Sequence, residues 1–368
     1  MNTQEALYSI ALRRCAHIGD ITFFKLIKAI GSAEKVWNLP RKDFKILGIG
    51  PKIISEIGNS DHLIFAESEL NYCEKNDVKI LLRHHDDLPY YLSECTDAPA
   101  ILYAKGNFNS NKIPISIVGT RNITTYGKTF IKDFMLKIKS NSVQTISGLA
   151  YGVDAEVHRQ SLENSIPTIG VLAHGFQTLY PSKHKNLSLE IIEKGGVLFT
   201  EFNSSQKPDR ENFIRRNRIV AGISPATIVI ETAFEGGSMS TANFANGYNR
   251  EVYALPGRIT DKYSQGCNLL ITQNKAIGIS SLNELIESLN LSPTSPNQMD
   301  LFTTAKDTSQ LSDFQNTIYL HIQEKNKMSL DDLSLELSKP TFEILTELLE
   351  LELLGFIKSH SGQQFSVS

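Results

Sequence analysis

The stretch "ISIVGTRNITTYGK", residues 115–128, decides the fold. A short β-branched apolar run stops at Gly119. A polar turn follows, and Tyr126–Gly127 lead into a segment that reads as helix. A run of this kind, closed by glycine, predicts a buried strand ending in a tight turn. The same grammar recurs downstream in VQTIS (143–147), TIGVLA (168–173), VLFT (197–200), TIVIE (227–231) and VYAL (252–255). Each run is bounded by Gly, Pro, Ser or Asn, and helix-compatible segments separate them. This alternation predicts an α/β domain, a mostly parallel sheet with helices on both faces. Ligands of such sheets bind outside the carboxyl ends of the strands, so the turns after the strands are the candidate site.

Those turns share a chemistry. After the first strand, Gly119 allows close backbone approach and Arg121 is the first long side chain over the strand ends; the competing reading is a turn with an incidental arginine. After the second, Ser147 and Gly148 stand where a helix N-terminus offers free N–H groups to an anion. Asp154 and His158, four apart, share a face of the helix that follows. They read as a buried polar pair that fixes the helix, or as an acid–base pair. After the third come Tyr180, Lys183 and Lys185, phosphate holders or solvated lysines. After the fourth, "ENFIRRNRIVAGIS" (211–224) concentrates Arg215, Arg216 and Arg218 beside Phe213. Guanidinium forks suit phosphate oxygens, and an aromatic ring can stack on an unpaired base. The competing reading is an ion-pair network with Asp209, Glu211 and Glu201. After the fifth, Gly236, Gly237 and Ser238 open another helix.

The bulk numbers fit a local site. The chain has 368 residues and a formal net charge of -3, so it is not a basic nucleic-acid coat. Four cysteines, 15, 73, 95 and 267, lack metal-ligand spacing and read as reduced thiols. No apolar run approaches the roughly 20 residues of a membrane span; a cytoplasmic protein with no membrane contact is expected. P-loop, G-x-S-x-G and HExxH signatures are absent. "RHHDD" (83–87) looks metal-like, but adjacent histidines point apart on a regular element, and a solvated turn is expected.

Taken in order, "IVGTRNITTYG", "SGLAYGVDAEVH", "LYP", "TEF…FIRRNRIVAGIS", "ETAFEGGSMSTA" and "REVYALPGRITDKYSQGCNLLI" resemble the DNA-processing protein A (DprA/Smf) family, densely over 112–280. Departures include Ile214 where the family has proline and Asn274 near a family glycine. The resemblance implies a Rossmann-like domain and a non-enzymatic function without cofactor or metal. Such a protein binds single-stranded DNA, protects it and helps load the RecA recombinase in natural transformation and homologous recombination. It also implies a homodimer. By motif position, Arg121, Lys183, Phe213, Arg215, Arg216 and Arg218 are the implied DNA contacts.

The flanks divide the chain further. Residues 1–75 read as a helical SAM/helix-hairpin-helix-like domain. Its turn "LGIGPKIISEI" (47–57) offers Gly48, Gly50 and Lys52 to duplex phosphate; a helical bundle without DNA affinity is the alternative. Residues 76–111 read as a connecting segment, 112–290 as the Rossmann-like DNA-binding domain and 291–311 as a Pro/Ser/Thr-rich linker. Residues 312–368 read as a winged-helix-like domain. Its third helix, within 340–357, carries four Glu and no Lys or Arg, which suits protein contact better than a DNA groove. The linker's "QMDLF" (298–302) resembles a sliding-clamp docking peptide, with Gln298, Leu301 and Phe302 as the contacts.

Two other functions compete. "EGGSMSTA" resembles the turn of nucleoside-monophosphate phosphoribohydrolases, but Thr241 is followed by Ala242, Asn243 and Phe244 instead of the acid that hydrolysis needs. The other is a duplex-DNA module acting through the N-terminal turn.

Overall fold

The computed structural model describes residues 3–46, 49–291, 311–325, 327–360 and 363–367. The chain divides into two compact units, Met1–Ser292 and Pro293–Ser368.

The first unit begins with six helices: α1 (Thr3–Arg14), α2 (Asp20–Ile30), α3 (Ala33–Trp37), α4 (Arg41–Ile46), α5 (Pro51–Glu56) and α6 (Ser60–Lys75). Strand β1 (Val78–Leu82), short helix α7 (Tyr90–Ser93) and β2 (Ile101–Gly106) follow. Then comes regular alternation: β3 (Ile113–Val118), α8 (Thr125–Ile138), β4 (Val143–Ser147), α9 (Val153–Glu163), β5 (Thr168–Val171), α10 (Lys185–Glu193), β6 (Val197–Thr200), α11 (Arg210–Gly222), β7 (Ala226–Val229), α12 (Gly237–Gly247), β8 (Glu251–Ala254), α13 (Gln265–Thr272), β9 (Ile277–Gly278) and α14 (Leu282–Ser288). All six strands expected from the sequence form, within one or two residues at their ends.

The strands make one sheet in the order β1-β2-β6-β5-β4-β3-β7-β8-β9. From β6 to β9 all pairs are parallel; β1–β2 and β2–β6 are antiparallel. Strands β4 to β7 are buried at every residue, as a sheet covered on both faces requires. Alternation then sorts the side chains. Ile115 and Ile117 pack with Ile131, Phe134 and Ile138 of α8, while Val118 packs on the opposite face with Ile219 and Val220 of α11. This is the Rossmann-like arrangement expected.

Residues 76–111 do more than connect. Val78, Ile80, Leu82, Ile101 and Tyr103 of β1 and β2 share one core with Phe23, Leu26, Trp37 and Phe44 of the N-terminal helices. Those helices therefore pack directly on an antiparallel extension of the sheet.

In the second unit, α15 (Asp313–Lys325), β10 (Met328–Ser329), α16 (Leu330–Leu337), α17 (Thr341–Leu353), β11 (Ile357–His360) and β12 (Gln364–Val367) follow one another. Its three strands pair in the order β10-β12-β11 around a core of Ile318, Leu333, Ile344, Leu348 and Leu351.

Candidate functional site

From β3 the chain adds β4, β5 and β6 on one side, then crosses back through α11 to place β7 on the other. Such a reversal opens a crevice at the strand ends. Here it has a volume of roughly 1000 Å3. Its walls are the turns after β3, β4 and β7, one face of α11, and the Lys262–Tyr263 segment.

Eight of the expected contacts meet there: Gly119, Arg121, Gly148, Phe213, Arg216, Gly236, Gly237 and Ser238. Gly119 is forced by space, because a Cβ would lie 2.5 Å from Val153 Cγ2. A Cβ on Gly236 would lie 2.2 Å from Thr232 Oγ1. Gly236 is the N-cap of α12, which has no side-chain cap. Ser238 Oγ in its first turn is buried and has no hydrogen-bond partner among the described residues. Uncapped N–H groups and an unmatched hydroxyl suit an anion.

Arg216 forms part of the crevice wall. Its Nη1 donates to the Gly148 carbonyl at 2.5 Å and to that of Val171. Burial draws its pKa down to about 10, against the opposing effect of Asp154, so it stays cationic at neutral pH. Asp154 is itself pushed above the ordinary carboxylate range by burial, which outweighs Arg216 and the hydrogen bonds from the Ala150 and Gly148 N–H groups. A Cβ on Gly148 would lie 2.5–2.6 Å from three guanidinium atoms of Arg216, so glycine is the residue that lets the arginine lie flat there. The next residue, Leu149, is buried at φ 56°, in the left-handed region that costs a branched side chain energy.

Phe213 is half-buried and ringed by polarisable neighbours. Tyr180 meets it edge-on at 5.7 Å between centroids, and the guanidinium carbons of Arg121 and Arg216 lie 5.3 and 5.8 Å from its centroid. Arg121 is exposed. A flat aromatic face beside one exposed and one buried cation can take a base and its phosphate.

The sequence did not point to several wall residues. Arg210 and Lys262 add exposed positive charge. Asn217 donates to Gly237 O and Ser240 Oγ, joining α11 to the first turn of α12. Tyr263 accepts a hydrogen bond from Asn122.

Four expected contacts lie elsewhere. Ser147 is buried and spends its hydroxyl on the Ile117 carbonyl. Lys183 is exposed in the turn after Tyr180, outside the crevice wall. Arg215 and Arg218 lie three apart on another face of α11. Both pair with Glu201, at 2.7 and 2.6 Å, and with Asp20, at 3.1 and 3.5 Å. Arg218 also donates to the Asp97 carbonyl at 2.6 Å. For these two arginines the structure contains an ion-pair network, but of the expected acids only Glu201 takes part, and Asp209 instead caps α11 by accepting the Glu211 N–H. The network's unforeseen member is Asp20, which begins α2 and also pairs with Arg13. Burial pushes the Asp20 carboxyl up, but Arg13, the Ala100 N–H, Arg218 and Arg215 together bring it below the ordinary range. The network thus fastens the helical layer to α11.

Asp154 and His158 do not form an acid–base pair. His158 is fully buried, bonds Thr168 Oγ1 at 2.7 Å, and is drawn down to about 3 by burial. The "RHHDD" segment is a turn whose His85, Asp86 and Asp87 are exposed, as expected, but His84 departs from that reading. Its side chain is turned inward, with Nε2 2.7 Å from Glu5 Oε1. Asn274 adopts φ 55°, the conformation a glycine would favour. Gly50 caps α5 and Lys52 is exposed; Gly48 and the Gln298, Leu301 and Phe302 motif lie outside the described residues. No helix among the described residues is long and apolar enough to cross a membrane.

Fold and crevice together define a Rossmann-like α/β protein with an anion-adapted cleft at its switch point. The chain belongs to the DNA recombination-mediator protein A family, which it matches over residues 79–290; this is the DprA/Smf family. It is 31% identical over 303 residues to Protein Smf of Escherichia coli strain K12, covering 80% of this chain and 79% of that one. To DNA processing protein DprA of Bacillus subtilis strain 168 it is 38% identical over 203 residues, covering 55% and 68%. Two solved structures are similar at 26% identity. The X-ray structure of DNA processing protein A from Streptococcus pneumoniae has a TM-score of 0.56 and covers 73% of this chain and 98% of its own. A structure of DNA processing protein A from Helicobacter pylori, described for its single-stranded DNA binding mode, has a TM-score of 0.52 and covers 58% and 95%.

Proposed function

We propose that this protein is a single-stranded DNA-binding recombination mediator. It holds and protects an incoming strand and helps load RecA in natural transformation and homologous recombination, without catalysing a reaction. The carrying observation is the crevice in which Arg121, Phe213, Arg216 and the α12 N-terminus converge. The single-stranded DNA binding mode described for the Helicobacter pylori relative supports the same reading. A base stacks on Phe213, Arg121 follows the phosphates, and Ser238 with the Gly236–Gly237 turn receives one of them. The protein acts as a homodimer, so that two crevices engage one strand. The first 75 residues serve as a SAM/helix-hairpin-helix-like module, with Gly50 and Lys52 available to duplex phosphate. Residues 312–368, in which helix, strand, helix, helix and hairpin follow one another, serve as a winged-helix-like protein-contact module.

The test is fluorescence anisotropy with labelled single strands and matched duplex over a salt series, without ATP. Binding should favour the single strand and weaken as salt rises. Arg121→Ala should weaken it for every sequence alike and flatten the salt slope by about 0.7 for each phosphate that the side chain neutralises. Unchanged affinity and slope would remove the crevice as the DNA site. RecA loading is read separately, as faster filament formation on strands already coated by single-strand-binding protein. Equal rates with and without this protein would remove that role alone.

A further inference from the structure

Glu5 of α1 and His84–His85 after β1 come together although 79 residues separate Glu5 from His84. One donor atom from each of the three lies within 4.8 Å of the other two. The Glu5 and His84 side chains are 4% and 5% exposed, whereas His85 faces solvent. We propose that Glu5, His84 and His85 bind one divalent transition-metal ion of the zinc class, which fastens α1 to the turn that follows β1.

The turn is built to hold this geometry. Arg83–His85 form a single 3-10 turn closed by Asp86 at φ 57°. Arg83 anchors it by donating to the carbonyls of Cys95 at 2.9 Å and of Thr96 and Ala98 at 3.3 Å, and its guanidinium lies 4.3 Å from the Phe24 ring centroid. The Leu82 N–H donates to Asp87 at 3.1 Å. So held, the two imidazoles lie 4.7 Å apart between centroids instead of diverging.

The donor set is suited to a borderline metal. The neutral His84 ring has one lone pair to give a metal. Nδ1 of that ring is buried and has no hydrogen-bond partner among the described residues. Nothing there fixes the tautomer. The proton can sit on Nδ1 while Nε2 turns its lone pair to the ion, and the bond to Glu5 is the one exchanged. Ligands about 2.1 Å from zinc in a tetrahedron sit roughly 3.4 Å apart, so the 2.7 Å Glu5–His84 contact opens by under about 1 Å. Glu5 also accepts the Ala33 and Glu34 N–H groups at 2.5 and 3.2 Å; these orient the carboxylate, as outer partners do for metal ligands. Water on the His85 side completes the sphere. Two imidazoles and one carboxylate favour zinc, nickel or cobalt over magnesium or calcium.

The experiment uses tag-free full-length protein, stripped with a chelator and titrated with Zn2+ against a competing indicator, with Mg2+ in a parallel arm. The cysteines compete poorly, being buried with thiol pKa values of about 11 to 12. The wild-type chain should take up one Zn2+, show no comparable response to Mg2+, and melt at higher temperature when loaded. His85→Ala, at an exposed position, should melt like the metal-free wild type, bind Zn2+ at least tenfold more weakly and gain no thermal stability from it. His84→Gln should lose binding likewise. Zinc bound no more tightly by the wild type than by His85→Ala would overturn the proposal, because the ion would then sit on other residues.

Discussion

Arg218→Met should cost stability and leave DNA binding alone. The side chain of Arg218 is 7% exposed and serves Glu201, itself 1% exposed, together with Asp20 and the Asp97 carbonyl. Methionine keeps most of the aliphatic stem and removes the fork. Breaking a buried pair by removing one partner costs about 3–5 kcal/mol, most of it from the carboxylate left behind. With a urea slope of about 3 kcal/mol/M, the midpoint should fall by roughly 1–2 M. Trp37, the one tryptophan of the chain, is buried in the helical layer that the network fastens, so its fluorescence follows the transition. The loss should depend on pH in a set direction. Burial pushes the Glu201 carboxyl above its ordinary range, outweighing Arg218 and Arg215. A carboxyl raised in the folded state contributes stability that is lost as pH rises through its folded pKa. The variant raises it further, so its folded state holds more protons than the wild type does. The gap between the two should therefore narrow from pH 8 towards pH 5, by at most about 1.4 kcal/mol per pH unit for each extra proton. Single-strand affinity should stay within about twofold, since Arg218 is not part of the crevice wall. A midpoint shift under about 0.3 M, a gap that widens as pH falls, or a loss of affinity like that of Arg121→Ala would each refute this division of labour.

Three further outcomes are expected. Phe213→Ala should weaken single-strand binding by about 1–3 kcal/mol, roughly fivefold to a hundredfold, while Phe213→Trp retains it; equal binding by all three proteins in anisotropy would leave the ring without a stacking role. Gly148→Ala should displace the Arg216 guanidinium, costing about 1–3 kcal/mol in urea unfolding and lowering affinity; a variant equal to wild type in both assays would mean that the arginine moves aside freely. None of the four thiols should react with a disulfide reagent at pH 8 in the folded protein, and all four should react in urea, because each is buried and burial raises its pKa.

What could be read in advance follows from which forces are local. Strands β3 to β8 announce themselves because a strand buried on both faces must be apolar and must end where the backbone turns. Strands β1 and β2 are also largely apolar, as VKILL and ILYAKG, yet the only α-helix between them is the four-residue α7, and antiparallel pairing 23 residues apart leaves no rhythm to detect. The arginine cluster was half legible. Positions 215 and 218 are three apart and share a helix face, while 216 lies about 100° away, so their separation into two sites was implicit in the spacing. Which face meets the acids was not implicit, because Asp20 lies 195 residues from Arg215 in sequence. The turn at His84 was misread for a related reason: adjacent side chains diverge on extended or α-helical backbone, but a pinned 3-10 turn brings these two rings together.

The division on α11 explains how a slightly acidic chain can present positive charge at the crevice. Arg215 and Arg218 are matched by Glu201 and Asp20, so they contribute structure and little outward field. Arg216 is different. Two backbone carbonyls hold its guanidinium, and Asp154, the acid facing it, is pushed towards its neutral form by burial. A cation whose acidic neighbour ionises reluctantly keeps more of its charge visible from the crevice than one in an even pair. It needs no reorganisation when an anion arrives, because its rotamer is already fixed. Arg121, Arg210 and Lys262 are exposed and can follow whatever path a flexible strand takes. A fixed charge at the wall with exposed charges at the rim suits a ligand whose backbone is constant and whose bases vary. The structural arginines hold α11 in the position that makes this arrangement available.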